Sequence, residues 1–329
     1  MDRGTFWGMN PQLAVMASIR GGVFTRADAR ACGYPDADID SLLHSGSWRR
    51  IRRGTYAAHR SLMLVTDEVL YLRRIHNVLR SSGPSVFASH QSAAALHALP
   101  VWGLDLTRVH VTAPDGRSGR LRGVHRHIRD PVGPGLQLWN RLRLASPARA
   151  IAEVAATAPP EPAVVLADAA MYAGLVNRRT LNHAITRLDH GSKRALKVLD
   201  RLTGSASIAE SRLRFILADA GLPVPSPAPP PDAEPADPGV SAAEGLWFPD
   251  ERTVVEFEPR FPFWCEEFEP SVDEPIPEPT AAEPDGPQPV EHCWISWADL
   301  ADPPTVADRI RTTFTRAARR TGIRHFARM

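Results

Sequence analysis

The sequence predicts a multidomain α+β protein. Its 329 residues suffice for two or three domains of ordinary size. Segments with helical spacing of apolar residues recur between segments that alternate like strands. Charge and proline content also change near residue 204. These three observations together predict three domains, at residues 1–60, 61–203 and 204–329.

The charge of the chain is distributed unevenly, although its net formal charge is only +2. Residues 204–329 hold 11 arginines and 22 acidic residues, whereas residues 1–203 hold 28 basic and 15 acidic residues. A basic front and an acidic rear indicate two surfaces with different partners. Lys193 and Lys197 are the only lysines.

Hydrophobic residues make up 43% of the chain and mean hydropathy is −0.23, which is typical of a globular domain protein. No apolar run is long enough to span a bilayer, and the N-terminus lacks the pattern of a signal peptide. We therefore expect a cytoplasmic protein without a membrane partner. The three cysteines, Cys32, Cys265 and Cys293, form neither a disulfide framework nor a zinc-ligand spacing.

Residues 1–60 predict three short helices followed by a basic hairpin. A first helix with apolar spacing ends at Gly21–Gly22, and Thr25 is expected to cap a second helix that stops at Gly33. A third begins after Pro35 and ends at Gly46. The segment "SWRRIRRGTYAA" then alternates as a strand or tight hairpin. This order is typical of a winged helix-turn-helix, a DNA-binding module.

The predicted hairpin carries four arginines that suit contacts with DNA phosphates: Arg49, Arg50, Arg52 and Arg53. Phosphate contacts supply affinity and register but little sequence information. The alternative is a solvated hairpin in an arginine-biased protein, and we favour the DNA contact. Three acidic residues in the preceding helix, at Asp36, Asp38 and Asp40, argue against tight or specific binding.

The middle domain, residues 61–203, reads as mixed α+β. An amphipathic helix, "DEVLYLRRIHNVLR", precedes "PSVFASHQSAAALHAL", which passes from a short strand into a helix. Three segments then alternate like strands of an antiparallel sheet: "RVHVTAP", "RLRGVHRHI" and "LQLWNRLRLAS". Helices return after Ser146, which is expected to be an N-cap. His90, His97, His125 and His127 are candidates for a metal or catalytic site. For the pair His125 and His127, on one face of a strand, we expect a solvated basic face.

The C-terminal domain is predicted to open with the helix "SIAESRLRFILADAGLP". The strands "GLWF" and "RTVVEFE" follow, and a last strand, "HCWISWADL", runs into a basic helix. Proline-rich acidic inserts are expected at about residues 223–241 and 264–291. The side chains of Glu256 and Glu258, two residues apart on one strand, point to the same side of it. They are therefore a candidate divalent-metal site.

Several of these segments resemble a known family. The predicted winged helix, "ASHQSAAALHALPVWG" and "LASPARAIAEVAA" are similar to AbiEi-type antitoxins of type IV toxin–antitoxin systems, in the actinobacterial branch. The segments "ESRLRFILADAGLP", "FPDERTVVEFE" and "WISWADL" resemble a very-short-patch-repair-like endonuclease domain of the PD-(D/E)XK class. The resemblance implies a restriction-endonuclease-like α/β fold for residues 204–329.

The resemblance also implies a metal site in which carboxylates hold Mg²⁺ against the scissile phosphate. Glu210 matches the acid of the first helix, and Glu256 and Glu258 match the strand acids. Gly245 stands where an aspartate is expected, with Glu244 one residue away and therefore facing the opposite side. The motif lysine is also missing. We therefore expect a degenerate endonuclease domain.

The preferred interpretation is a DNA-binding antitoxin-like transcriptional regulator without catalytic activity or cofactor. The family resemblance implies operator DNA and a nucleotidyltransferase toxin as partners. The alternative is an active Mg²⁺-dependent DNA endonuclease using Glu210, Glu256 and Glu258, with Glu244 replacing the lost aspartate. A third interpretation is an interaction module with no toxin partner.

Overall fold

The structure is a computed structural model. It describes residues 9–20, 22–52, 54–58, 67–114, 118–121, 123–128, 135–139, 142–226, 245–257 and 290–321. The chain divides into two compact units, with the boundary between Ala206 and Ser207. The further boundary predicted between residues 60 and 61 falls within residues 59–66, outside the described residues, and stays a prediction. A mixed α+β architecture with several sheets confirms the predicted fold class.

The first unit begins with three helices and a small sheet. The elements are α1 (Pro11–Ile19), β1 (Phe24–Thr25), α2 (Arg26–Ala31), α3 (Asp36–His44), β2 (Trp48–Arg52) and β3 (Thr55–Ala58). The sheet has the order β1-β3-β2, with all pairs antiparallel. This arrangement is consistent with a helix-turn-helix-like domain.

Local sequence signals account for the boundaries of α2 and α3. Thr25 caps α2 as predicted, because its hydroxyl accepts from the backbone N–H of Asp28, whose carboxylate accepts from the N–H of Thr25. Gly33 and Gly46 follow the two helices with φ angles of 88° and 76°. A residue with a β-carbon is strained in these left-handed conformations, so glycine is favoured at both helix ends.

The rest of the first unit surrounds a six-stranded sheet. Helix α4 (Asp67–Ser81) confirms the predicted amphipathic helix and packs against α1. The next elements are β4 (Phe87–Ala88), α5 (His90–Leu96), β5 (Val109–Ala113), β6 (Gly119–Leu121), β7 (Val124–Ile128), β8 (Leu136–Trp139) and β9 (Leu142–Ala145). Four helices complete the unit: α6 (Pro147–Thr157), α7 (Pro160–Tyr172), α8 (Arg178–Thr186) and α9 (Ser192–Leu199).

The six-stranded sheet is mixed, with the order β6-β7-β5-β4-β9-β8. The prediction of an antiparallel sheet was therefore wrong, because β5 pairs with β7 and β4 with β9 in parallel. Two segments predicted as single strands are hairpins, β6–β7 and β8–β9. Gly123, with a φ of 79°, lies between β6 and β7. The Ser146 N-cap of α6 is confirmed, since its hydroxyl accepts from the N–H of Arg149.

The described residues of the second unit form two α-helices and a three-stranded sheet. Its elements are α10 (Ile208–Asp219), β10 (Gly245–Phe248), β11 (Thr253–Phe257), β12 (Glu291–Ile295), a short 3-10 helix (Asp299–Ala301) and α11 (Pro303–Thr321). β10 and β11 are antiparallel, and β11 and β12 are parallel. Apolar side chains of both helices and all three strands form one buried core.

The ends of the two predicted inserts fall on described residues. Ser226 pairs with Trp247, its N–H donating to the carbonyl of that residue over 2.7 Å. Glu291, predicted as the last insert residue, is the first residue of β12 and is buried. Most of both inserts lies outside the described residues. No helix in the described part of the chain is long and apolar enough to cross a membrane.

Candidate nucleic-acid interface

Strand β2 lies at the edge of the first sheet and presents two of the four predicted arginines to solvent. Arg49 and Arg50 are exposed, and Ile51 beside them is 45% exposed. A groove lined by Leu43, Gly46, Trp48, Arg49 and Arg50 separates the end of α3 from this strand. A cationic strand beside a groove next to a helix can contact a phosphate backbone.

The position of β2 is fixed by Trp48, which is 1% exposed. Its ring packs edge-on against Phe24, with ring centroids 4.7 Å apart, and against Tyr34 at 5.0 Å. Two residues further on, the Arg50 guanidinium lies 5.9 Å from the centroid of the Tyr56 ring. The aromatic core therefore anchors the strand from which the arginines project.

The other two predicted arginines are described less fully. Arg52 has its backbone in β2, after an irregularity in the pairing between Arg50 and Arg52. The side chain of Arg52 and the whole of Arg53 lie outside the described residues. Their predicted contact with DNA stays a prediction.

Two of the three acidic residues of α3, Asp36 and Asp40, form ion pairs with arginines of α2. Asp36 accepts from Arg30 Nε over 2.9 Å and lies 3.2 Å from Arg26, while Asp40 also pairs with Arg26. Hydrogen bonding to Arg30 lowers the pKa of Asp36. These carboxylates therefore neutralise the cationic side chains of the adjacent helix.

In the second unit, Glu210 lies in the first turn of α10, where its N–H donates to the Ser207 hydroxyl over 3.1 Å. Its carboxylate accepts from Arg214 Nε over 2.8 Å, one turn along the same helix. This i, i+4 pair gives the carboxylate a structural partner.

Glu256 lies on β11, opposite Gly245 on β10. Its Oε2 lies 3.1 Å from Nδ1 of His292 on β12, and this hydrogen bond is the main cause that raises the pKa of His292. Glu244 and Glu258 lie outside the described residues. Within the described part of the chain, neither Glu210 nor Glu256 belongs to a group of three metal-ligating side chains.

The sequence reasoning missed a histidine cluster on the six-stranded sheet. His90, His110 and His127 place one ring nitrogen each within 4.8 Å of the others. His90 is 6% exposed, and His127, which we expected on a solvated face with His125, is partly buried. Burial is the main cause that lowers the pKa of His110 to about 3 and that of His127 to about 4. These rings are therefore neutral near pH 7.

No signal local to the sequence joins these three histidines. His110 had no place in the prediction, because it stands alone in "RVHVTAP" and meets the others only through strand pairing. His97, also among the predicted histidines, is outside this cluster, and its Nε2 lies 2.8 Å from the carbonyl oxygen of Ala145.

Residues 14–59 match a family model described as a transcriptional regulator, AbiEi antitoxin. The matched residues include α2, α3, β2 and β3. No curated protein matches the chain. The crystal structure of the RV2827C protein from Mycobacterium tuberculosis is similar at 16% identity, over 65% of this chain and 82% of that chain. Its TM-score is 0.27, so this likeness carries no argument about fold or function.

Proposed function

We propose that the chain is a DNA-binding, antitoxin-like transcriptional regulator. The observation that carries the proposal is the match of residues 14–59 to the AbiEi antitoxin regulator model. The same residues form the helices and the antiparallel strands that carry exposed Arg49 and Arg50. The proposal takes β2 and β3 as the wing of a winged helix-turn-helix.

Charge supports a mode of binding dominated by phosphate contacts. Arg49 and Arg50 are exposed and can face a backbone, whereas α3, in the position of a recognition helix, begins with two acidic residues, Asp36 and Asp38. An anionic helix opposes entry into a groove lined by phosphates. Affinity in this proposal therefore comes mainly from the wing, and sequence discrimination is modest.

The test is fluorescence anisotropy with the DNA upstream of the gene, at several salt concentrations. The double variant Arg49→Ala/Arg50→Ala is compared with Arg80→Ala/Arg179→Ala, which removes the same charge from exposed helical positions of the same unit. Each lost phosphate contact lowers the slope of log affinity against log salt by about 0.9. We expect a loss of up to about 1.8 in the wing variant and a smaller change in the control.

Two results would overturn the DNA proposal. One is the absence of salt-sensitive binding by the wild-type chain. The other is equal affinity and salt slope in the wing variant and the control, with both variants folded by circular dichroism. Binding that is equally tight to unrelated DNA would support the DNA contact but contradict recognition of a specific operator sequence.

We further propose a protein toxin of the nucleotidyltransferase class as the second partner, because AbiEi antitoxins belong to toxin–antitoxin systems. The basic surface of the first unit is available for this contact. Co-expression with a nucleotidyltransferase encoded beside the gene is the test. Growth rescue would support the proposal, and the absence of both rescue and any genetic neighbour of that class would leave a regulator without a toxin.

The second unit is proposed to lack nuclease chemistry. Gly245 offers no carboxylate opposite Glu256, His292 already bonds to Glu256, and no lysine follows Lys197. Plasmid nicking in Mg²⁺ measures this directly, with Glu256→Gln as the matched variant. Metal-dependent nicking that disappears in Glu256→Gln would instead establish the endonuclease.

A further inference from the structure

The histidine cluster of the first unit is independent of the proposed DNA contact. Its members come from three elements, since His90 begins α5, His110 lies on β5 and His127 lies on β7. β5 and β7 are parallel, with His110 opposite His125 and Thr112 opposite His127. Partners in register and residues two apart share a sheet face, so His110 and His127 face the same side.

We propose that His90, His110 and His127 together bind a divalent transition-metal ion of the zinc class. Imidazole nitrogens suit zinc, cobalt and nickel, whereas magnesium and calcium prefer oxygen donors. Three histidines are one of the ligand sets found in zinc sites that keep a fourth position open.

The spacing of the rings fits this ligand set. Nδ1 of His110 lies 3.1 Å from Nε2 of His127, and the three candidate ligand atoms lie within 4.8 Å of one another. Nitrogens bound tetrahedrally at ~2.0–2.1 Å from zinc lie about 3.3 Å apart. The rings of His90 and His127 are stacked, with centroids 4.0 Å apart, so metal binding through their in-plane nitrogens requires side-chain rotations that unstack these two rings.

The remaining ring nitrogens face polar groups. Nδ1 of His90 lies 3.1 Å from the Ser89 hydroxyl and 3.5 Å from Oε2 of Glu153. Nε2 of His110 lies 3.0 Å from the side-chain amide nitrogen of Gln91. These neighbours leave Nε2 of His90 for the metal. The Gln91 amide donates to Nε2 of His110, so Nδ1 of His110 can bind the metal only when this amide turns its oxygen toward Nε2. A histidine held by a carboxylate through its outer nitrogen is a common arrangement in metal sites.

The supporting carboxylate is itself held in place. Glu153 is 4% exposed, accepts from the backbone N–H of His90 over 3.0 Å, and pairs with Arg149 Nε over 2.9 Å. His90 has a φ of 51°, a conformation that residues with a β-carbon rarely adopt. Such backbone conformations persist where surrounding contacts enforce them and often accompany functional sites. Glu153 is therefore the positioning residue of the proposed site.

The fourth coordination position of the proposed metal ion would be open to a water or an anionic group. His110 and His127 are only partly buried, so a water or an anionic group can approach from that side. A zinc ion with three histidines lowers the pKa of a bound water.

The first measurement is metal content and affinity in the full-length untagged chain. Zn²⁺ is added to chelator-treated protein, unbound metal is removed, and zinc is counted by mass spectrometry and titrated by calorimetry. We expect one tightly held ion per chain. The variants His110→Asn and His127→Asn remove proposed ligands, and the control His183→Asn replaces an exposed histidine elsewhere in the same unit.

We expect His127→Asn and His110→Asn to lose the tight ion, while His183→Asn retains it. Glu153→Gln should weaken zinc binding by about 10- to 100-fold while the stoichiometry stays the same. Absence of a tight ion in the wild-type chain, or its retention in both His110→Asn and His127→Asn, overturns the proposal.

A spectroscopic measurement on the wild-type chain covers the case in which a variant fails to fold. Co²⁺ replaces zinc, and visible and X-ray absorption spectra report coordination number and the count of imidazole ligands. Three imidazoles in a four- or five-coordinate ion support the site. Fewer imidazoles, or a six-coordinate ion with mainly oxygen donors, overturn it.

Discussion

Gly245 lies directly opposite Glu256 in the antiparallel pair β10–β11. A β-carbon added at Gly245 would lie 3.5 Å from Cγ of Glu256 and 3.1 Å from Cγ1 of Val254. The place where a second carboxylate would stand is therefore next to the first, on the same sheet face. The structure offers one carboxylate there, bonded to a histidine, in place of an acidic pair.

Restoring an acid at this position should destabilise the second unit unless a cation joins it. We expect Gly245→Asp to be less stable than Gly245→Asn at neutral pH, by less than about 1 kcal/mol, because like charges then face each other across the strands. Chemical denaturation measures the difference. Equal stability of the two variants at neutral pH would contradict this prediction.

The pair between Glu256 and His292 predicts a pH dependence with a definite sign. Hydrogen bonding to Glu256 raises the pKa of His292 above its ordinary value of about 6.5. The stabilisation is therefore fully present below about pH 6.5 and is lost as pH rises through the raised pKa. Histidine NMR titration should show a lower His292 pKa in Glu256→Gln. An unchanged His292 pKa would contradict the pair, and His183 serves as the unaffected reference.

The carboxylates of α3 are expected to limit binding to DNA. Asp36→Asn/Asp40→Asn keeps the shape of both side chains and frees Arg26 and Arg30 of α2 from their partners. We expect tighter binding to DNA in anisotropy measurements and a steeper dependence on salt, because two negative charges disappear near the wing. Asp189→Asn/Asp200→Asn removes the same charge elsewhere in the unit and should change affinity less. Equal changes in DNA affinity in the two double variants would contradict this prediction.

The capping box of α2 predicts a loss of stability. Thr25→Ala removes the hydroxyl that accepts from the N–H of Asp28 and should cost about 1 kcal/mol in the free energy of unfolding. Thr25→Ser keeps the acceptor and should retain most of the stability. The comparison uses denaturant midpoints of the two variants, and an alanine variant as stable as the serine variant would contradict the role of the cap.

Local signals explain which parts of the fold the sequence predicts. Thr25 and Ser146 cap their helices through contacts three residues away, so a short stretch contains the whole interaction. Alternation likewise identifies β5 and β7 as strands. It carries no information on strand direction, however, and so it could not reveal that these strands are parallel.

The candidate sites also divide into one that depends on local interactions and one that depends on long-range contacts. Arg49 and Arg50 were predictable because their exposure depends on a strand anchored at the adjacent Trp48. The histidine cluster depends on contacts between residues up to 63 positions apart, as in the bond from His90 to Glu153. Glu153 reads in isolation as an ordinary helical acid, and only tertiary packing buries it beside the rings.

In the part of the chain that the structure describes, the order β1-β3-β2 leaves β2 without a strand partner along its outer side. Such an edge can recruit a strand from another molecule, and charged side chains are a common protection against that pairing. Arg49 and Arg50, which precede the exposed Ile51, are charges of the kind that oppose such pairing. Replacing them with β-branched apolar residues would make the chain prone to self-association, whatever its affinity for DNA.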